Sequence, residues 1–326
     1  MNFVVTLLAA GVAMVPQVMP GDGPPLNHAI GYYDAVLRRV VMVGGESQAR
    51  AGDRDRVWSW SGERWEVVTT GGPPARSNAW AAYDATRRAA VVFGGARRML
   101  DGSTFEAMGD TWRHHAGEWA AAAGAVLPPR DHHAMVYDEA RGTLLLHGGI
   151  PGARTSPWPT DTWAFAASGW SRLAGDGPIG RARTALAYDR ARKQVVMFGG
   201  IGDGPRRQQP FFNDTWVWEG VSWTQAAAGG PPARYAHGMA YDDARGVVLL
   251  YGGSDATGPL LDMWQWDGHR WTEIPLTGAT PGARYQPVMV YDEARKVTVL
   301  YGGLPPSASR RGSGTDRAGE GSRDRL

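Results

Sequence analysis

The chain has 326 residues, 43% of them apolar, a net charge of +2 and no cysteine. The missing thiol excludes disulfides, thiolate metal sites and cysteine nucleophiles together. The near-neutral charge gives no field that would draw nucleic acid or an anionic membrane.

Residues 1–20 admit two readings. One is a secretory signal, from an apolar run with small residues at Ala10-Gly11-Val12-Ala13, although no Lys or Arg precedes it. The run is too short for a convincing membrane span, so no integral membrane segment is expected in the mature chain. The other reading follows from what comes next.

From residue 26 one script repeats. Tyr-Asp stands at Tyr33-Asp34, Tyr83-Asp84, Tyr137-Asp138, Tyr188-Asp189, Tyr241-Asp242 and Tyr291-Asp292. A glycine pair begins ten residues after each aspartate, at Gly44, Gly94, Gly148, Gly199, Gly252 and Gly302. Successive pairs lie 50, 54, 51, 53 and 50 residues apart, which marks one supersecondary unit copied around an array. A short strand ends in Tyr-Asp, and a polar turn follows in which the aspartate accepts backbone N–H groups. A run apolar on both faces, such as Val247–Tyr251, then reads as a strand buried between layers.

After a variable polar stretch the script resumes with Asp110-Thr-Trp112, Asp161-Thr-Trp163, Asp214-Thr-Trp216 or the variant Asp262-Met-Trp264. A second tryptophan follows seven residues on, as in Trp58/Trp65 and Trp264/Trp271, with a turn between. That pattern predicts a β-hairpin with an aromatic anchor on each strand, tryptophans in the core. Each unit is therefore four antiparallel strands, A to D. Six such units predict an all-β, six-bladed β-propeller.

These motifs resemble the bacterial kelch repeat over roughly 13–303, with the central domain of galactose-oxidase-like proteins as the type. The copper radical oxidases of that type need a cysteine cross-linked to tyrosine, which this chain lacks. The sialidase box is absent too. The resemblance implies a fold and leaves activity open. No cofactor and no metal are expected, and a monomer is.

Only five tryptophan hairpins accompany six Tyr-Asp hairpins. Counting back by the same spacing makes Asn2–Leu8 a candidate C strand and Ala13–Val18 a candidate D strand, completing the last blade. The expected domains are thus 1–20 as signal peptide or ring-closing hairpin, 21–303 as propeller, and 304–326 as a disordered tail. A signal would place the protein in the periplasm or medium; without one it is cytoplasmic.

Three sets of residues are candidates for function. Arg76, Arg130, Arg181, Arg234 and Arg284 each lie eight residues before a Tyr-Asp aspartate, where the first unit has Leu26 and, further on, Arg56 in place of the Asp-Thr-Trp aspartate. A ring of arginines at the channel mouth could hold an anion. The competing reading pairs each with its own unit's aspartate or a glycine carbonyl, since a buried charge left alone is costly. Trp158, Phe211 and Phe212, with Phe105 and loop arginines such as Arg154 and Arg206, would form a contact surface for a protein or glycan. His132, His133, His147 and His237 fall on A or B strands without metal-site spacing. Gly94, Gly148, Gly199, Gly252, Gly302, Asp110, Asp161, Asp214, Asp262, Trp112, Trp163, Trp216 and Trp264 are expected to be structural. The function predicted is a binding or scaffold propeller using loops on one face. The alternative is a carbohydrate-active enzyme (hydrolase, lyase or epimerase type) at the channel mouth, using arginine and a carboxylate.

Overall fold

The computed structural model describes residues 2–7, 14–19, 27–46, 56–69, 71–99, 105–115, 117–124, 127–173, 177–205, 208–226, 229–277 and 280–304. These contain strands and no helix, and they form a β-propeller. Six four-stranded antiparallel sheets are present among them, each with its strands side by side in the order A, B, C, D. The third sheet shows the pattern: Ala134–Asp138, Thr143–His147, Thr162–Ala166 and Gly169–Arg172. In the last sheet Val288–Asp292 and Val297–Tyr301 are joined by Asn2–Leu7 and Met14–Met19. The register Val4↔Tyr301 repeats the Met263↔Tyr251 register of the sheet before. The intervening turn, Ala9–Val12, lies outside the described residues.

The script residues hold neighbouring sheets together. Each Tyr-Asp aspartate caps its own turn: Asp34 Oδ1 accepts from Val36 N and Leu37 N at 2.9 Å each. The tyrosine instead reaches the preceding sheet, where Tyr188 Oη accepts from Ala140 N at 3.0 Å and Tyr241 Oη from Ala191 N at 3.2 Å. The turn arginine reaches the following sheet. Arg141 donates to Asp138 of its own turn and to Lys193 O at 2.7 Å. Its Nη2 donates to Glu219 O in that sheet's C–D turn, and the same contact runs from Arg295 of the last sheet to Ser61 O of the first. Beneath these arginines only glycine fits: a Cβ on Gly220, at φ 103°, would lie 2.4 Å from Arg141 Nε.

Apolar side chains fill the spaces between consecutive sheets rather than one central core. Val41, Val43 and Val57 pack against Ala81, Ala90 and Val92, and a like cluster follows at each later junction. One of these joins the last sheet to the first through Val290, Val299 and Tyr301 against Val40, Trp60 and Trp65. The B strands are buried along their length, as a strand packed on both faces must be.

The tryptophans differ from the sequence expectation. Trp112, Trp163, Trp216 and Trp264 are half-buried, not core. The deep positions belong to Trp60, Trp218 and Trp266, two residues further on in each strand, and to Trp170, Trp223 and Trp271 on the D strands. The reason is the polar partner: each half-buried indole Nε1 donates back to its motif aspartate, as Trp216 does to Asp214 Oδ2 at 2.7 Å, which holds the ring near the loop end. The motif threonine serves the next sheet. Trp170, Trp223 and Trp271 donate Nε1 to Thr111, Thr162 and Thr215 at 2.8–2.9 Å. Leu304, placed in the tail by sequence, pairs with Tyr285, and 305–326 lie outside the described residues.

Candidate functional site at the mouth of the central channel

The strand-A arginines are committed inside the sheets. Arg130, Arg181 and Arg234 are at most 2% exposed, and Arg76 is 4%. Arg181 donates Nη1 and Nη2 to Asp214 Oδ1 and Oδ2 at 2.6 and 2.9 Å, and Nη1 also to Gly199 O at 3.0 Å. Arg76, Arg130 and Arg234 do the same with Asp110, Asp161 and Asp262 and the carbonyls of Gly94, Gly148 and Gly252. Burial alone would raise the Asp214 carboxyl, but Arg181 outweighs it and holds the group below the usual carboxylate range. Arg284 donates to Gly302 O at 2.9 Å, and the register places Phe3 where the other sheets carry the aspartate. The first glycine of each pair, Gly94 to Gly302, has positive φ. At Gly148 a Cβ would lie 2.3 Å from Arg181 O, so the close approach of the next sheet requires glycine there.

The loop aromatics are also less available than a contact surface requires. Trp158 is 8% exposed against Ala182 and Ile201. Phe211 stacks on Tyr235 at 5.1 Å, and Phe212 lies under the Arg181 guanidinium at 4.2 Å. Phe105 is exposed. Arg206 and Arg207 fall outside the described residues. His133, His147 and His237 are buried edge-on to Phe93, Trp223 and Phe198.

What the structure gathers instead is a ring two residues beyond each strand-A arginine position. His28, Asn78, His132, Arg183, Ala236 and Gln286 all lie at φ between 53° and 57°. A left-handed backbone at six non-glycine residues costs about 1 kcal/mol or more at each. Hydrogen bonds around the axis hold it: His132 N to Asn78 O, Arg183 N to His132 O, Ala236 N to Arg183 O and Gln286 N to Ala236 O, at 2.7–2.9 Å. All six line a cavity of about 710 Å³, counting its part open to solvent. Its deeper wall is apolar, with Ile30, Trp80, Met239, Val288 and Met289. An apolar pocket with a few converging polar groups is the usual form of a ligand site.

The polar rim has defined partners. Asp131, buried, lies 2.7 Å from His132 Nδ1 through Oδ1 and takes both Arg154 nitrogens. Arg183 donates to Tyr285 Oη and lies over the Tyr235 and Tyr285 rings at 5.8 and 5.5 Å. Among the described residues no carboxylate lies within ion-pair distance of Arg183, although the other buried or half-buried motif arginines with aspartates are paired. The opposite end of the channel carries an ion cluster. Arg190 Nη2 donates at 2.8 Å to Glu139 and to Glu293, and Asp243 lies 3.5 Å from Nη1. The loop end is therefore the open one.

The fold and this mouth define a kelch-type β-propeller whose channel opens on its loop face. Residues 110–303 match the KLHDC2/KLHL20/DRC7 Kelch-repeats domain, and the chain belongs to that family. It is 28% identical over 137 residues to Mei4-dependent protein 6 of Schizosaccharomyces pombe, covering 38% of this chain and 19% of that protein. The chain thus spans about a fifth of that relative's length. The solved structure of YjhT superposes with a TM-score of 0.67 at 14% identity, over 89% of this chain and 93% of that one. At that identity the likeness concerns the fold.

Proposed function

We propose that this chain is a binding propeller that recognises a protein partner at its loop face, centred on the channel mouth. The observation that carries the reading is the contrast between two sets of arginines. Arg76, Arg130, Arg181 and Arg234 of the strand-A set are neutralised bidentately within the sheets, while Arg183 stands at the open mouth with a phenol as its hydrogen-bond partner. Kelch-repeat membership supports a binding or scaffold role. The enzymatic alternative requires an available carboxylate beside that arginine; Asp131 is instead tied by Arg154 and His132. The test is a displayed-peptide library and a glycan array probed with the wild type and with Arg183→Asn/Tyr285→Ala. Peptide ligands weakened at least tenfold by the double variant are expected. Ligands indifferent to it would move recognition away from the mouth, and turnover of an arrayed glycan would favour catalysis.

The ring in this reading has six blades, and Asn2–Leu7 with Met14–Met19 complete the last one rather than being removed as a signal. Pairing of Asn2–Leu7 with Val297–Tyr301 supports it, as does the Arg295–Ser61 contact between the last sheet and the first. Deletion of 1–20 is then expected to abolish a single cooperative unfolding transition. Unchanged stability, or a mature N-terminus found by mass spectrometry beyond residue 20, would refute the closure.

A further inference from the structure

Among the buried polar atoms of the cavity lining without a hydrogen-bond partner in the described residues, which include both His237 ring nitrogens, His132 Nε2 and Gln286 Oε1 are acceptors of the mouth ring. Both residues line the cavity. An unsatisfied buried acceptor is costly, so two at one opening call for a donor that belongs there.

Their neighbours fix which atoms they are. The Asp131 carboxylate only accepts, so His132 Nδ1 carries the proton toward it and Nε2 keeps the lone pair. Burial, helped by the charge of Arg183, lowers the His132 pKa to about 4 against the pull of Asp131, and the ring is neutral near pH 7. Gln286 Nε2 donates to Asn78 Oδ1 at 3.2 Å, and Asn78 Nδ2 faces Ser77 Oγ at 3.4 Å, which orients both amides and leaves Gln286 Oε1 as the acceptor. The third group is Arg183, a donor that meets only a phenol oxygen.

We propose that the mouth takes a primary carboxamide, the tip of an asparagine or glutamine side chain on the partner protein. Its two N–H groups match the two orphan acceptors, and its carbonyl matches the guanidinium of Arg183. A carboxylate would suit Arg183 but place lone pairs against lone pairs at His132 and Gln286. An ammonium would suit the acceptors and be repelled by Arg183. Entry displaces Arg183 from Tyr285 Oη, and the methylenes of the inserted side chain meet the apolar wall at Met239 and Val288. This deepens the protein-binding reading above and rests on it.

The experiment is ligand-observed saturation-transfer NMR on the full chain with three probes, propionamide, propionate and 1,2-propanediol. Propionamide is expected to give at least five times the transfer of either competitor. His132→Asn and Arg183→Asn should each abolish it, asparagine being chosen because it tolerates the left-handed backbone. Circular dichroism and a melting curve verify that the variants are folded. A stronger response to propionate means that Arg183 alone selects, and a stronger response to the diol means a hydroxylated ligand. Either result overturns the proposal, as does no response to any probe or an undiminished one in both variants. Fragment binding is read without any partner, so its failure leaves peptide capture at the loop face standing. Loss of peptide capture with fragment binding intact would remove the protein reading alone.

Discussion

Replacing Asp214 by alanine tests the claim that the strand-A arginines are structural. Arg181 has a side chain 1% exposed, and Asp214 one that is 19% exposed. The substitution leaves the guanidinium with Gly199 O and Ile179 O as partners and also orphans Trp216 Nε1. Breaking a buried pair from one side costs about 3–5 kcal/mol. The partly open aspartate admits some water, which argues for the lower end, about 3 kcal/mol. At roughly 2 °C per kcal/mol for a domain this large, melting should fall by about 6 °C. The assay is a double-mutant cycle by urea unfolding with Asp214→Ala, Arg181→Met and the combination. The pair should be less destabilised than the sum of the singles by at least about 1.5 kcal/mol, because the double variant leaves no buried charge alone. Additive effects, or a cost for Asp214→Ala below about 1 kcal/mol, would refute the reasoning and return Arg181 to the pool of ligand-binding candidates.

Other substitutions test other parts of the account. Trp266→Ala, at a side chain 1% exposed, should cost about 3–5 kcal/mol, and Trp216→Ala roughly half as much; equal costs in urea unfolding would contradict the burial order. Gly220→Ala should lower the melting temperature measurably, because its Cβ meets Arg141 and its φ is 103°, while Gly71→Ala, with open space around it, should be silent. Histidine burial sets an acid limit. His133, His147 and His237 are lowered to about 3, first by burial and then by Arg130, Arg181 and Arg234 respectively. An unfolded histidine titrates near 6.5, so the unfolded chain binds more protons below that pH, and stability is full above about 6.5 and falls toward pH 3. His133→Phe should flatten the slope of urea stability against pH by about one proton; an unchanged slope would count against its neutral burial.

The spacing of ten and seven residues made the hairpins legible because each script residue bonds to another script residue. Arg181 with Asp214 and Tyr188 with the preceding turn recur from sheet to sheet, and a recurring bond leaves a recurring letter. The channel-mouth ring left no such trace. Its positions hold His28, Asn78, His132, Arg183, Ala236 and Gln286, five residue types over six places of one backbone conformation. A set of side chains with no internal symmetry cannot repeat, so the ring's mark in the sequence is an offset of two from the strand-A arginine position. The burial order of the tryptophans was hidden for another reason. Trp216 and Trp218 share a face of one strand, and the aspartate two residues before Trp216 decides which goes deep.

The threonine that each unit lends to its neighbour's indole has a consequence for how such a chain can change. Trp65 and Trp119 lack that partner, and the residues in the lending position are Val4 by register and Val57. Met263 stands there in the unit before the one whose final strand, Met14–Met19, has no tryptophan to receive the bond. Lender and borrower thus straddle a boundary, and the indole persists at two junctions where the lending threonine has become valine. A transplanted unit would arrive with half of two such bonds, and recombination between relatives should survive worst when a cut falls between the C and D strands of one unit, where it severs two of them rather than one.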